Sequence, residues 1–189
     1  DSASAVLVGC GLGNSENTRR LTEFVIRSAT CPVIIDADGI NSISANIDVL
    51  KERTGDTILT PHPLEFSRMT GVPVAEIQRD RLGMTSQFAM RYGATVLLKG
   101  ADTVIASPDG RMCVNSGACR GLSKGGSGDV LTGVTAALLG QMETERAAVT
   151  ACAVHAGAGD VCAQKRGEYG MTPSDIIEEL PYIFKTITE

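Results

Sequence analysis

The sequence predicts an α/β fold in which a mainly parallel sheet carries helices on both faces and an antiparallel hairpin at one edge. Three observations point there. Short apolar runs alternate with stretches of helical periodicity as far as Gly100, the rhythm of successive βαβ units. Two further apolar runs, Thr103 to Ala106 and Met112 to Asn115, are separated only by Ser107-Pro108-Asp109-Gly110-Arg111, a turn too short for a parallel crossover and therefore a hairpin. After Gly125-Gly126-Ser127-Gly128 the pattern is helical to the end.

The elements follow in order. Ala5-Val6-Leu7-Val8 is a strand that runs into Gly9-Cys10-Gly11-Leu12-Gly13, and the next helix is expected to turn Leu21, Phe24, Val25 and Ser28 inward. Pro32 to Ile35 is a second strand; it ends in Asp36-Ala37-Asp38-Gly39, after which Ile40, Ile43, Ile47 and Leu50 recur at helical intervals. Thr57-Ile58-Leu59 leads into Thr60-Pro61-His62-Pro63-Leu64-Glu65-Phe66, and one helix is expected from Val74 to Tyr92. Thr95 to Leu98 leads into Lys99-Gly100. Beyond the hairpin, one helix starts from Asp129, with Val130, Leu131, Val134, Ala137 and Leu138 on its apolar stripe, and another runs from about Glu145 to Gln164. A short pair is expected near Pro173 and Pro181, each proline suiting a first helical turn.

Composition bounds the functional classes. The chain has 189 residues, 43% of them hydrophobic and 21% charged, which suffices for one domain with a sizeable core. A net charge of −5 and the lack of a basic tract argue against a nucleic-acid partner. No apolar run is long enough to span a membrane and no signal-peptide pattern is present, so a soluble, cytoplasmic protein is expected. The six cysteines form no Cys-x-x-Cys pair and only two histidines accompany them, which argues against a zinc site; they read as small, mostly buried apolar groups.

Ligands of an open parallel sheet bind beyond the carboxyl ends of its strands. Here each of the four strands ends in a polar or glycine-rich cluster: Gly9 to Gly13, Asp36 with Asp38, Thr60 with His62 and Glu65, and Lys99 with Gly100. Each has two readings. Gly9 to Gly13 is either a ligand loop or a plain strand-to-helix turn; Asn14 stands where a dinucleotide fingerprint needs its last glycine. Asp36 and Asp38 either share a metal or, the favoured reading, one of them caps the helix that follows. Pro61 and Pro63 stiffen the backbone on both sides of His62, while His155, in an Ala-rich helix, reads as structural. Lys99 either snorkels or meets a phosphate as a point charge. No Gly-x-x-x-x-Gly-Lys-[Ser/Thr] occurs, so this is not a P-loop protein.

The fifth cluster is Gly125-Gly126-Ser127-Gly128-Asp129-Val130-Leu131-Thr132-Gly133, a helix N-terminus whose free N–H groups and partial positive charge suit phosphate. A carboxylate beside a phosphate is repulsive unless a proton or metal ion intervenes. Asp129 therefore reads either as a base for a hydroxyl attacking a phosphoryl group, or as a mere helix cap beside a tight turn.

Gly9-Cys-Gly-Leu-Gly13, Asp36-Ala-Asp38, Thr60-Pro-His-Pro-Leu-Glu-Phe66, Lys99-Gly-Ala-Asp-Thr103 and the Gly125 to Gly133 stretch have the order and spacing of the ADP/ATP-dependent NAD(P)H-hydrate dehydratases. The chain resembles that family, of the ribokinase-like superfamily, over essentially its whole length. The resemblance implies a three-layer ribokinase-like fold. It also implies return of hydrated NADH or NADPH (NADHX, NADPHX) to the normal cofactor at the expense of ADP or ATP, with Mg²⁺ bridging the phosphates. By the same analogy, Gly11, His62 and Asp129 would contact the hydrated dinucleotide and Asp129 would take the hydroxyl proton. Lys99, Gly100, Ala101, Asp102, Thr103 and Gly128 would hold the adenine nucleotide, and the N–H groups of Gly126, Ser127, Gly128 and Asp129 would stabilise the transferring phosphoryl group. No residue is assigned to metal, and a homo-oligomer is the family expectation.

Departures accompany the resemblance. Cys10 replaces a common proline, and Ala118-Cys119-Arg120 stands where the family usually has an asparagine followed by a small residue or proline. Asp1 falls just before the first strand, so residues 1–189 are expected to be one ribokinase-like domain lacking its N-terminal portion. Two other functions share much of the pattern: a vitamin kinase acting on hydroxyethylthiazole or hydroxymethylpyrimidine, and an inactive nucleotide-binding fragment.

Overall fold

The computed structural model describes residues 3–117 and 119–188. Asp1 and Ala118, on which two of the expectations above bear, lie outside the described residues.

Strands β1 (Val6–Val8), β2 (Val33–Ile35), β3 (Thr57–Leu59), β4 (Thr95–Leu98), β5 (Thr103–Ala106) and β6 (Met112–Asn115) form one sheet in sequence order. Pairing is parallel from β1 to β4 and antiparallel for β4–β5 and β5–β6, as the hairpin predicts. The registers align the strand ends: Val8 faces Ile35, which faces Leu59. The residues that follow these strands therefore share one rim.

The two-residue period of the strands divides the core into two layers. Ile34, Ile58, Leu97 and Ile105 pack against α6 (Ser127–Leu139), α7 (Thr144–Arg166) and α8 (Pro173–Thr188). Their neighbours Val33, Ile35, Leu59, Val96, Leu98 and Val104 face the other way, onto α1 (Glu16–Ser28), α2 (Ala37–Ile43), a 3₁₀ segment (Ser44–Glu52), α3 (Pro63–Thr70), α4 (Val74–Arg79) and α5 (Arg81–Tyr92). Helices on both faces of a mainly parallel sheet give the three expected layers.

Four local expectations fail for identifiable reasons. The helix expected over residues 74–92 breaks at Asp80, whose backbone leaves helical geometry (φ −138°, ψ 62°) and whose carboxylate caps α5 by accepting from the Gly83 amide at 2.9 Å. An unexpected helix, α3, begins inside the Thr60-Pro-His-Pro stretch, with Pro63 in its first turn. The buried residues of α1 are Thr22 and Ile26, with Val25 packed against the core as expected, while Leu21 and Phe24 are 47% and 65% exposed and Ser28 is exposed. This helix packs against α2 and the 3₁₀ segment, so position in the fold outweighs side-chain size. Finally, Pro181 lies inside a continuous α8 rather than starting a second helix. The carbonyl that loses its donor belongs to the exposed Ile177, where water can replace the missing N–H.

Candidate active site

The rim formed by the carboxyl ends of the strands opens into a cavity of about 570 Å³. Asp36, His62, Lys99, Gly100, Ala101, Thr103 and Gly125 to Asp129 all line it. Gly11 and Asp102 do not: Gly11 is exposed, and the Asp102 carboxylate accepts from the Gly117 amide at 3.4 Å. Of the five clusters, four thus converge, and the Gly9 to Gly13 loop stands beside them.

That loop is held by packing. Gly9 has φ +129°, and a Cβ there would lie 1.8 Å from the Asp36 carbonyl oxygen, so only glycine fits. The Gly13 amide donates to Asp38 at 2.8 Å, which ties the loop to α2. Cys10 points inward, with Sγ 3.6 Å from Thr132 Oγ1 and 3.9 Å from Asp36 Oδ2. Burial, aided by the charges of Asp36 and Asp129 and opposed by Thr132, pushes the Cys10 thiol up to about 11, so it stays protonated at neutral pH. All six cysteines are free; only Cys152 and Cys162 are fully buried and the others are half-buried.

Neither aspartate of the Asp-Ala-Asp stretch makes the expected cap. Asp36 occupies the N-cap position of α2 without a capping hydrogen bond. Its carboxylate, 1% exposed, accepts instead from Thr60 Oγ1 at 2.7 Å and from Lys99 Nζ at 2.8 Å. The first residues beyond β2, β3 and β4 are therefore joined in a row. The Lys99 ammonium is held at the rim by this ion pair, and Lys99 lines the cavity.

His62 owes its orientation to more than its prolines. It is the N-cap of α3: Nδ1 accepts from the amides of Leu64 and Glu65, both at 3.2 Å, and Glu65 accepts from the His62 amide at 2.8 Å. This reciprocal pair is a capping box with an imidazole in the place of a hydroxyl. With Nδ1 an acceptor, the neutral ring carries its proton on Nε2, which lies 3.3 Å from Glu65 Oε1 and borders the cavity.

The glycine loop ends in α6, whose first residues are Ser127, Gly128 and Asp129. Gly126 is the N-cap, with φ +92°, and no side chain caps the helix, so Asp129 is not a cap. The Ser127 amide donates to the Lys124 carbonyl at 3.2 Å. The amides of Gly128 and Asp129 remain in a first turn that has no carbonyl to offer them. Asp129 is exposed and faces the cavity.

Other residues at the site carry no sequence signal. Arg81 Nη2 donates to the carbonyls of Leu98 at 2.9 Å and Asp102 at 3.0 Å, fixing the course of residues 98–102. His155, which reads as structural from the sequence, lines the cavity while only 7% exposed, and its Nε2 has no hydrogen-bond partner among the described residues. Ser127 Oγ is buried in the same condition. Burial, opposed by a hydrogen bond to the Ser127 backbone and reinforced by the Lys99 charge, lowers His155 to about 4 and keeps it neutral.

Residues 1–182 match the family model of the NAD(P)H-hydrate dehydratases. The chain belongs to that family. It is 40% identical over 189 residues to the bifunctional NAD(P)H-hydrate repair enzyme Nnr of Thermofilum pendens, a match that covers 100% of this chain and 36% of that protein. The ADP/ATP-dependent NAD(P)H-hydrate dehydratase of Bacillus subtilis, co-crystallised with ATP/Mg²⁺, superposes with a TM-score of 0.85 at 34% identity, over 97% of this chain and 64% of that one. A ribokinase-like superfamily protein of Enterococcus faecalis gives 0.83 at 26% identity, over 97% of this chain and 63% of that one. The family member described here thus has the ribokinase-like fold, and it spans about a third of the length of the bifunctional relatives it matches.

Proposed function

We propose that the chain, as a single ribokinase-like domain, is a hydro-lyase that uses ADP or ATP to return NADHX and NADPHX to NADH and NADPH. The observation that carries this reading is the meeting of Asp129, His62 and Lys99 in one cavity at the start of α6. The amides of Gly128 and Asp129, with the Lys99 ammonium, suit the phosphates of the nucleotide, and residues 99–103 its remaining contacts. Asp129 takes the proton of the ring hydroxyl as the hydroxyl oxygen attacks the terminal phosphorus and AMP or ADP leaves; the resulting phosphate ester then breaks at the ring carbon, expelling phosphate where hydroxide would leave poorly, while the adjacent ring carbon gives up a proton to solvent and the ring double bond forms. His62 presents an oriented N–H to the hydrated dinucleotide, and Gly11 belongs to its outer contacts.

The donor set fits Mg²⁺ in its usual mode of few protein ligands. Cys10, Asp36 and Asp129 bring ligand atoms within 4.8 Å of one another, but a thiol is a soft donor and Asp36 Oδ1 already serves Lys99 and Thr60. Asp129 would hold the ion together with phosphate oxygens, and a bound Mg²⁺ would neutralise phosphate charge beside that carboxylate.

A cytoplasmic homo-oligomer completes the proposal. Six free cysteines accord with a reducing compartment, and no helix among the described residues is long and apolar enough to cross a membrane. The test is incubation with NADHX and ADP or ATP, followed by the absorbance of reduced nicotinamide. Recovery of NADH with release of phosphate is expected; nucleotide binding without recovery would leave an inactive binder, and a stable phosphorylated product a kinase.

A further inference from the structure

We propose that Asp36 is a positioning residue, fixed by Thr60, that holds the Lys99 ammonium against the glycine loop and so sets turnover rather than nucleotide affinity. The proposal rests on the functional reading above.

Asp36 is 1% exposed, Thr60 is 0% exposed and the Lys99 side chain is 22% exposed. A buried ion pair is a poor device for stability alone, because apolar residues of similar volume commonly serve as well or better. This pair lies where the cavity begins, and its two ends differ. Oδ1 of Asp36 is turned away from solvent toward Thr60 Oγ1 at 2.7 Å, while Lys99 Nζ, at 2.8 Å from the same oxygen, borders the cavity. An ammonium has three donors, so the bond to Asp36 leaves two for a ligand.

The loop is close. A Cβ placed on Gly128 would lie 3.5 Å from Lys99 Nζ and 3.8 Å from Asp36 Oδ2. Any phosphate on the amides of α6 therefore meets the lysine and feels the aspartate behind it. The aspartate opposes that phosphate, so the pair as a whole adds little to ground-state attraction. What it supplies is place: a lysine stem has many rotamers, and a fixed partner removes that freedom before the ligand arrives. The backbone accommodates this arrangement at Ala37, the only non-glycine residue with positive φ (48°) among the described residues, immediately after Asp36.

The experiment compares Asp36→Asn, Thr60→Val, Lys99→Met and the Asp36→Asn/Lys99→Met double variant. Turnover of NADHX with ADP, ADP binding by calorimetry, adenosine binding and thermal midpoint are measured for each. Asparagine keeps the shape and an acceptor for Thr60 but drops the charge. Asp36→Asn is expected to lower kcat at least tenfold while ADP binds as well as to wild type or several-fold more tightly, with adenosine binding unchanged. Thr60→Val should lower kcat by a smaller factor in the same manner, and Asp36→Asn should cost nothing further in the Lys99→Met background. A kcat within twofold of wild type overturns the proposal, as does a loss that follows weakened ADP binding or thermal midpoint, or one additive with Lys99→Met. If Asp36→Asn does not fold, Thr60→Val and its combination with Lys99→Met decide by the same criteria. If the wild-type protein recovers no NADH, the functional reading fails by itself. The positioning claim then stands if ADP, relative to adenosine, binds Asp36→Asn several-fold more tightly than wild type, and falls if that binding is unchanged or weaker.

Discussion

Gly128 lies against Lys99 so closely that a Cβ on the glycine would sit 3.5 Å from the lysine Nζ, in ordinary van der Waals contact rather than in collision. The loop is thus open to one more carbon as far as the fold is concerned, but not as far as a ligand is concerned. Gly128→Ala is expected to keep the thermal midpoint within about 3 °C of wild type, alanine being the better helix former. ADP affinity should fall about tenfold or more, since the methyl group occupies the approach to the first-turn amides. Calorimetry with ADP, alongside a melting curve, checks both halves.

Asp129 stands exposed in the first turn of α6 and makes no helix cap, and it lines the cavity. Asp129→Asn should abolish NADHX turnover and leave ADP binding within a few-fold of wild type. Turnover that survives the substitution would remove the base assignment.

His62 caps a helix, and the proposed function gives it a second, separable task. Its Nδ1 caps α3, a bond worth about 1 kcal/mol, and its Nε2 borders the cavity. His62→Ala should lose both stability and activity, whereas His62→Asn, which can cap, should recover the stability alone. Urea unfolding and turnover, measured on both variants, distinguish the two tasks.

His155 predicts acid sensitivity. Burial holds it at about 4 against an ordinary 6.5, so between those values the unfolded chain binds a proton that the native protein lacks. Its contribution is fully present above the unfolded value and is lost as pH falls toward the folded one, by about 2 kcal/mol between pH 7 and pH 5. His155→Leu should remove that part of the slope, which urea midpoints at the two pH values would reveal. An unchanged slope would place the acid sensitivity elsewhere.

Gly9 is expected to be the least replaceable glycine of its loop. Gly9→Ala would drive a methyl group into the Asp36 carbonyl and toward the Gly39 amide, 2.7 Å away, at a φ of +129°. A loss of about 3 kcal/mol or more is expected, read as a fall in soluble yield and in the unfolding midpoint. Gly11, whose added Cβ would meet nothing within 4 Å, should lose less.

The sequence by itself determined what depends on neighbours along the chain. Alternating apolar runs fixed six strands and most helices, and glycine, proline and short polar residues marked the strand ends that border the cavity. That was enough to locate Asp129, His62, Lys99 and Asp36, because each directly follows a local signal. The tertiary structure decided everything that depends on residues far apart. The partner of Lys99 is 63 positions away, so periodicity could not show that Asp36 pins the lysine instead of capping its own helix. Leu21 and Phe24 are large and apolar yet exposed, because the packing of α1 selects Thr22 and Ile26. The break at Asp80 and the imidazole cap at His62 depend on side-chain geometry that competes with propensity. His155 reads as an ordinary helical residue until α7 is laid beneath α6, where burial leaves it neutral at the edge of the site. Local sequence sets which groups stand at the rim; only the packing of distant segments sets which of them touch, which are charged, and which are free to act.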